Sequence, residues 1–264
     1  MNAINAALRA LIKRSRLSLK KLLNQITMRN LILTLLLPAA MFSQTAPVQK
    51  MNIVKTNVTG YVFRNVNLTY ERVINQRFSV AVGFGTVAKG GVPFSKSFID
   101  DTEFSDVEVS QTNFTIEPRI YLGQGYGRGF YFAPYYRHTT FNAEQITLDV
   151  DFSGDTVPMN IAGEAKGNSA GLMVGAQWFL GKTDSWVLDW WIAGAHYGGG
   201  KGDFRAQSPR SLTADEQAEL RDEIENLDIP YVDYTVTTDP NGANINVDGP
   251  WAGLRTGLSI GYRF

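Results

Sequence analysis

The sequence predicts an all-β protein: an eight-stranded antiparallel up-and-down transmembrane β-barrel with a short helix in its last extracellular loop. Three observations predict this fold. The chain begins with a basic segment typical of export, its apolar residues then recur with a period of two, and the connections between the predicted strands alternate between short and long.

The N-terminal segment indicates export. Residues 1–43 contain seven basic residues and no acidic one, and "MRNLILTLLLPAAMFSQ" has a positive start, an apolar core and small residues before a cleavage point near Ser43. The apolar core is too short to span a bilayer as a helix. Met28 also fits a translation start, and a mitochondrial presequence is the alternative. We therefore expect a signal peptide at 1–43, a short periplasmic segment at 44–51 and the barrel at 52–264.

Composition excludes several classes of protein. Seven of the 25 basic residues lie in 1–43, so the rest of the chain carries 18 basic against 25 acidic residues, and nucleic acid is not an expected partner. The absence of cysteine excludes a disulfide framework, a thiolate metal site and a lipid anchor on cysteine.

Eight segments alternate apolar with small or polar residues. In the last one, Leu258, Ile260, Tyr262 and Phe264 share a face, and the opposite face carries glycine, serine and arginine. A soluble sandwich or lipocalin-like barrel also alternates, but its outer face is polar. Here the face rich in glycine and charge fits the interior of a narrow barrel. The predicted strands are 53–62, 66–74, 77–88, 111–123, 129–142, 167–181, 185–198 and 251–264.

The connections support this count. Those at 75–76, 124–128 and 182–184 are short, and those at 89–110, 143–166 and 199–250 are long; 63–65 is a short exception. This alternation places the short turns and both termini on the periplasmic side. Aromatic residues near the short turns predict an interfacial girdle: Phe130, Tyr131, Phe132, Trp178, Phe179, Trp186, Tyr262 and Phe264.

The last long connection has structure of its own. Thr213 and Glu216 form a capping-box pattern, and Leu220, Ile224 and Leu227 recur at helical spacing, which predicts a helix over 214–227. The following "YVDYTVTTDPNGANINV" predicts a hairpin around 239–242. We expect this segment to cap the mouth of the barrel.

Three stretches carry a family resemblance: "VKTNVTGYVFRNVNLTYERVINQRFSVAVGFG", "FYFAPYYR" and "DGPWAGLRTGLSIGYRF". They resemble a family of small outer-membrane β-barrels of Bacteroidota-type bacteria that carries a domain-of-unknown-function label, and more broadly the eight-stranded OmpA and OmpX barrels. The resemblance implies an outer-membrane location, and insertion by the barrel-assembly machinery through a terminal aromatic signal, here Tyr262 and Phe264. It implies no established activity.

The face assignment places eight charges inside the barrel. Five cations and three anions predict a compensated ion-pair network, because an unpaired charge in a narrow lumen is costly. Side chains that fill the lumen are favoured, and a narrow anion-preferring pore is the alternative. The eight residues are Lys55, Glu71, Glu117, Arg119, Arg137, Asp189, Arg255 and Arg263.

The loops offer weaker candidates. Acidic residues between 89 and 110 could hold divalent cations that bridge lipid headgroups, or contact an extracellular protein: Asp100, Asp101, Glu103, Asp106 and Glu108. In "DVDFSGD", Asp149, Asp151, Ser153 and Asp155 have calcium-loop spacing, but Asn160 stands where the loop needs glutamate. His138 and Thr140 are the nearest approach to a lipid-hydrolase pair.

These patterns together predict a monomeric outer-membrane protein that contacts membrane lipid, requires no cofactor and is not an enzyme. Its expected role is envelope structure or surface interaction. A narrow ion or small-solute channel and a lipid-modifying hydrolase are the alternatives.

Overall fold

A computed structural model describes residues 49–91, 108–123, 125–152, 155–226 and 231–264. The predicted signal peptide, the acidic residues 100–106, Ser153 and Leu227 lie outside the described residues. We describe residues 50–264, which form one compact unit.

The described strands form one antiparallel sheet, and eight of them close into a ring. The order is β1-β2-β3-β4-β5-β6-β7-β9, and β1 pairs with β9 to complete the ring, while β8 pairs with the loop-side part of β9. The all-β antiparallel prediction is confirmed. The strands are β1 (Asn52–Asn57), β2 (Asn65–Val73), β3 (Phe78–Gly91), β4 (Glu108–Tyr121), β5 (Gly129–Phe152), β6 (Asp155–Leu180), β7 (Trp186–Gln207), β8 (Asp233–Asp239) and β9 (Gly242–Arg263).

The ring has two unlike ends. Connections 74–77, 122–128 and 181–185 lie at one end, together with Asn52 and Phe264, whose backbone groups exchange hydrogen bonds of 3.1 and 2.9 Å. We call this the turn end. The other end, where Gly91, Phe152 and Gln207 end their strands, is the loop end.

The first strand is shorter than predicted. β1 stops at Asn57, and a 3-10 helix occupies Thr59–Phe63 before Arg64 adopts a left-handed conformation (φ 56°). The Asn57 side-chain oxygen accepts hydrogen bonds from the Gly60 backbone (2.9 Å) and from Thr59 Oγ1 (2.7 Å). A side chain that bonds its own following backbone stabilises a turn, and so the prediction of strand to 62 is wrong.

The predicted loop at 143–166 is instead a long hairpin. β5 and β6 remain paired as far as Phe152 and Asp155, and a bulge lies between Ala143 and Ile146. An extra residue in one strand exchanges the faces on which its odd-numbered and even-numbered side chains lie. The alternation read from the sequence therefore breaks at 143, although the strand continues.

A layer of helix and sheet covers the loop end of the inner face. Helix α1 (Ala214–Glu225) begins at Thr213 with the predicted capping box, and β8 and β9 form the predicted hairpin. Leu220 of α1 packs against inner-face residues of β5, β6, β7 and β9 in an apolar cluster: Val150, Phe152, Val157, Met159, Ala206, Leu212, Leu220, Val236 and Ala243. The layer has an apolar core of its own.

Helix α1 is anchored by its first turn. Arg210 donates to both carboxylate oxygens of Glu216 (3.0 and 2.6 Å), and the Thr213 backbone N–H donates to Glu216 Oε2 (2.7 Å). The hydrogen bonds from Arg210 and then from Thr213 lower the pKa of Glu216 to about 2. No helix among the described residues is both long and apolar enough to cross a bilayer.

Candidate functional site: the interior of the ring

The two faces of the ring have inverted polarity. Charged side chains such as Glu71, Arg119 and Asp189 face inward and are fully buried. Large apolar side chains on the outer face are exposed: Phe78, Val80, Val82 and Phe84 on β3, and Leu172, Val174 and Leu180 on β6. The strand alternation sets both faces, because successive side chains point to opposite sides.

Four charges form the centre of the interior. Lys55 Nζ lies 2.6 Å from Glu71 Oε2 and 2.6 Å from Asp189 Oδ2. Arg119 Nη1 lies 3.2 Å from the same Glu71 oxygen and 2.8 Å from the same Asp189 oxygen. Each acid therefore contacts both cations, and the group links β1, β2, β4 and β7.

A second arm extends the network toward the loop end. Glu117 forms ion pairs with Arg119 through one carboxylate oxygen (2.6 Å) and with Arg255 through the other (3.1 Å). The Arg255 guanidinium also lies 4.5 Å from the ring centre of Tyr135 and 4.8 Å from that of Trp191. The structure thus brings together six of the eight predicted charges, three of each sign. We call this group the ion network: Lys55, Glu71, Glu117, Arg119, Asp189 and Arg255.

Neutral side chains complete the hydrogen bonds of the acids. Tyr121 Oη and Ser79 Oγ donate to Glu71 Oε1 (2.7 and 2.5 Å), and Tyr131 Oη donates to Asp189 Oδ1 (2.8 Å). Gln177 accepts from Lys55 Nζ (2.7 Å). Buried charges are tolerated when their remaining donors and acceptors are satisfied in this way.

Small residues make room for the network. The inner face of β3 carries small residues, and the register pairs Ser79 with Arg119 and Ala81 with Glu117. In a narrow ring, a small residue opposite a large one leaves room for the large side chain. The alternation of small and large residues between β3 and β4 therefore belongs to the same arrangement as the ion network.

Apolar side chains pack together at the turn end of the interior. Ile53, Val73, Phe179 and Val187 form an apolar cluster there. Gln177 Nε2 donates to the carbonyl of Gly127 (2.6 Å), which holds the β4–β5 turn against the interior. Apolar packing thus lies below the ion network.

Two predicted interior cations lie outside the network. Arg137, nearer the loop end, donates to Thr139 Oγ1 (3.4 Å) and makes no ion pair with a described residue. Arg263 lies near the turn end, with its guanidinium 4.2 Å from the ring centre of Phe179. The six network charges cancel, so Arg137 and Arg263 are the two surplus cations of the eight predicted interior charges, one near each end.

A cavity of about 760 Å³ borders the ion network on its loop-end side, and on the outer face it extends as far as Trp178 and Leu188. Glu117, Arg137 and Arg255 line it together with Asn57, Asn67 and Asn113. Its lining also includes the outward-facing residues Trp190 and Leu254. The cavity therefore reaches both faces of the ring wall.

The site predicted from the sequence does not include the tyrosines and glycines that the structure places in the interior. Gly163, Gly167, Gly171 and Gly175 recur every four residues on the inner face of β6. A Cβ at Gly175 would overlap the ring of Tyr131, and one at Gly171 the ring of Tyr135. The four-residue glycine spacing is the sequence signal that could have identified these buried aromatic residues.

The aromatic prediction holds only in part. Phe130, Phe132, Trp186, Tyr262 and Phe264 are about half exposed on the outer face. Tyr131 and Phe179 are buried inside, because their parity on the strand turns them inward. Tyr262 packs edge-on against Trp186, with ring centres 5.9 Å apart.

The metal candidate is not assembled. Asp151 pairs in register with Thr156 and Phe152 with Asp155, so Asp155 lies on the face opposite to Asp149 and Asp151. Asp155 is bound instead by Arg210 (3.0 Å). Among the described residues no group of three His, Asp or Glu side chains could hold a metal ion.

The remaining candidates, His138 for catalysis and Glu108 for a loop site, contact neighbouring side chains of the sheet. His138 Nδ1 lies 2.9 Å from Asn168 Oδ1, so an amide rather than a carboxylate contacts this imidazole. Glu108, the one described member of the acidic set, pairs with Lys89 (3.2 Å), and Lys89 also contacts Glu144 (2.5 Å).

Comparisons with known proteins give a family and a distant structure. A family model described as "Protein of unknown function (DUF3575)" matches residues 31–208. The crystal structure of Acinetobacter baumannii CarO is similar over 83% of this chain and 100% of its own, with 12% sequence identity and a TM-score of 0.34. No curated protein matches this chain significantly. Any function must therefore be argued from the chain's own geometry.

We predict that Asp189→Asn strongly destabilises the ring. The change keeps the shape of the side chain but leaves Lys55 and Arg119 short of one negative charge, which costs about 3–5 kcal/mol for a buried pair. The measurement is urea unfolding of the purified protein followed by tryptophan fluorescence.

Two variants serve as comparisons. Glu164→Gln removes the exposed ion pair with Lys166 and should cost less than about 1 kcal/mol. Lys55→Gln combined with Asp189→Asn restores neutrality and should recover part of the loss. Equal costs for Asp189→Asn and Glu164→Gln would contradict the role assigned to the network.

Proposed function

We propose that this chain, which belongs to the DUF3575 family of proteins of unknown function, is an eight-stranded transmembrane β-barrel of the outer membrane. Its interior is filled by side chains, and it serves envelope structure or surface interaction. The observation that carries the proposal is the inverted polarity of the ring.

The outer apolar face has the extent expected of a membrane crossing. On β6 the outward residues are apolar over 172–180, a nine-residue stretch, and become polar at Asn168, Lys166 and Glu164. A tilted strand crosses the hydrocarbon core with about 9–11 residues. In water an apolar band this large would promote aggregation, whereas lipid would stabilise it.

The strands continue well beyond that band. β6 has 26 residues, more than twice what a crossing needs. In the loop-end half the outer face is polar, and the inner face carries the apolar cluster covered by α1. This half has the polarity of a water-soluble sheet, which supports a projection from the outer surface of the membrane.

The interior favours a filled barrel over a channel. The ion network occupies its middle, and the apolar cluster with Ile53 and Val187 occupies the turn end. Inside the ring, the cavity borders the network at Glu117 and Arg255 and lies on its loop-end side. The surplus cations Arg137 and Arg263 lie at opposite ends and do not form one anion pathway.

Surface contact is the remaining part of the proposal, and we assign the chain no catalytic role. The Asn168 contact of His138 provides no carboxylate to orient a catalytic base. Glu108 and Glu144 share Lys89, which weakens the case for a divalent cation at these two residues. Lipid and the assembly machinery are the proposed partners, and the protein is proposed to be monomeric.

Single-cysteine labelling tests the location. The chain has no cysteine, so Val174→Cys and Lys166→Cys each introduce one thiol on the outer face of the same strand. In intact cells Lys166→Cys should react with a membrane-impermeant maleimide, and Val174→Cys should stay unmodified because lipid covers it. Reaction at both positions would exclude the proposed membrane band.

Planar-bilayer recording tests the filled interior. The purified protein should give no steady single-channel conductance, since the ion network and the apolar layer block the path. A variant with both Tyr121 and Tyr131 changed to alanine removes two large buried side chains without removing a charge from the ion network and should give brief openings. Steady openings from the unmodified protein would favour the channel alternative.

Phe264→Ala tests the assembly signal. The backbone of Phe264 pairs with Asn52 and closes the ring of strands. The Phe264 side chain is 48% exposed, so few contacts within the chain depend on its aromatic group. Recognition of the terminal aromatic residue predicts that Phe264→Ala lowers the amount assembled in cells severalfold. Heat-modifiable migration on gels measures the folded fraction.

The matched control is Phe130→Ala, which removes another exposed aromatic residue near the turn end. It should leave assembly in cells nearly unchanged, and both variants should refold equally well in detergent. Similar losses for the two variants in cells would argue against a terminal signal.

A further inference from the structure

One edge of β9 has no strand partner along part of its length among the described residues. β7 pairs with one edge throughout, and on the other edge β8 pairs with 242–248 and β1 pairs with 259–263. Among the described strands none pairs with this edge between 249 and 257, a length of about 25–30 Å. The short β1 and the 3-10 helix that follows it leave this stretch without a strand partner, and we call it the opening in the ring wall.

The cavity of about 760 Å³ reaches this opening. Its lining includes Gly257 at the uncovered edge, Asn57 and Thr59 beside it, Arg255 on the inner face and Leu254 on the outer face. Leu254 is 85% exposed. Residues of both faces of one strand can line one cavity where that strand has a free edge.

The inner wall of the cavity carries cations and a hydrogen-bond donor that would stabilise a negatively charged polar group. Arg137 has no ion-pair partner among the described residues, and Arg255 shares its single acid, Glu117, with Arg119. Asn113 is 5% exposed, and its Nδ2 has no hydrogen-bond acceptor in the described part of the chain. A buried donor and an uncompensated cation are both stabilised by an acceptor that carries charge.

The outer wall has the opposite chemistry. Trp190, Leu254 and Leu258 lie on the outer side of the same cavity, with indole and aliphatic surface directed outward. These residues belong to the apolar band that the proposed function places in lipid. A ligand that occupies the whole cavity therefore needs an anionic head and an apolar tail.

We propose that this cavity binds a single-chain anionic amphiphile, a long-chain carboxylate. Its carboxylate lies inside against Arg137, within reach of Arg255 and Asn113. Its alkyl chain leaves through the opening beside β9 and lies along Trp190 and Leu254. This inference rests on the proposed membrane location, because only lipid would supply and cover such a chain.

Equilibrium dialysis of radiolabelled dodecanoate tests the site. The full chain is reconstituted in phosphatidylcholine nanodiscs, and binding to empty nanodiscs is subtracted. We expect saturable binding of one dodecanoate per chain. Arg137→Gln should weaken the affinity at least about tenfold, the effect of losing one charge-assisted hydrogen bond, and Arg137→Lys should retain most of it.

Arg263→Gln is the matched control. It removes the other surplus cation and changes the net charge equally, but at the turn end, and it should alter the affinity less than about threefold. Butanoate tests the head alone, and dodecyltrimethylammonium tests a chain with a positive head. Neither should compete with dodecanoate at equal concentration.

Several outcomes would overturn the proposal. They are an absence of saturable binding, equal weakening by Arg137→Gln and Arg263→Gln, or competition by butanoate as strong as that by unlabelled dodecanoate. Failure of the chain to enter nanodiscs would instead contradict the membrane location, so the two proposals fail in different measurements.

Discussion

The fold depends on the neutral ion network at the centre of the ring. Arg119 contacts all three acids, which lie on β2, β4 and β7, and Lys55 joins β1 to two of them. A shift of one residue in any of these strands would turn a charge from the interior to the apolar outer face. The network therefore favours one register over its neighbours, although a buried ion pair is not by itself a strong source of stability. The inward tyrosines, the small residues of β3 and the glycines of β6 accommodate its large side chains.

The amino-acid pattern predicts the parts of this fold in which the two faces differ most. The strand faces, the inward charges, the capped helix and the final hairpin follow from alternation and local capping. The alternation does not predict the length of β5 and β6, because the bulge at Ala143 changes the parity and the outer face there is already polar. Nor does it predict the early end of β1, which depends on the hydrogen bonds of the Asn57 side chain.

The sequence predicts which charged side chains face the interior better than it predicts which of them form ion pairs. Parity places all eight charges inside, but it does not predict that Arg255 reaches Glu117 while Arg137, on a neighbouring level, reaches no acid in the described part of the chain. That distinction depends on strand tilt and side-chain reach across the ring. Tyr131 and Phe179 illustrate the same limit: proximity to a turn suggested a girdle position, whereas parity decides the face.

The change of polarity along the strands also explains where a ligand site arises. In the turn-end half the charges lie inside and apolar residues lie outside, and in the loop-end half this order is reversed. Between the halves the inner face changes from the ion network to the apolar cluster under α1, so this level has neither a full set of ion pairs nor a continuous apolar core. The stretch of β9 without a strand partner and Arg137, which has no ion pair with a described residue, both lie at this level. An amphiphile has the same two-part chemistry as the wall around it, and for that reason this level of the ring suits a polar head and an apolar chain at once.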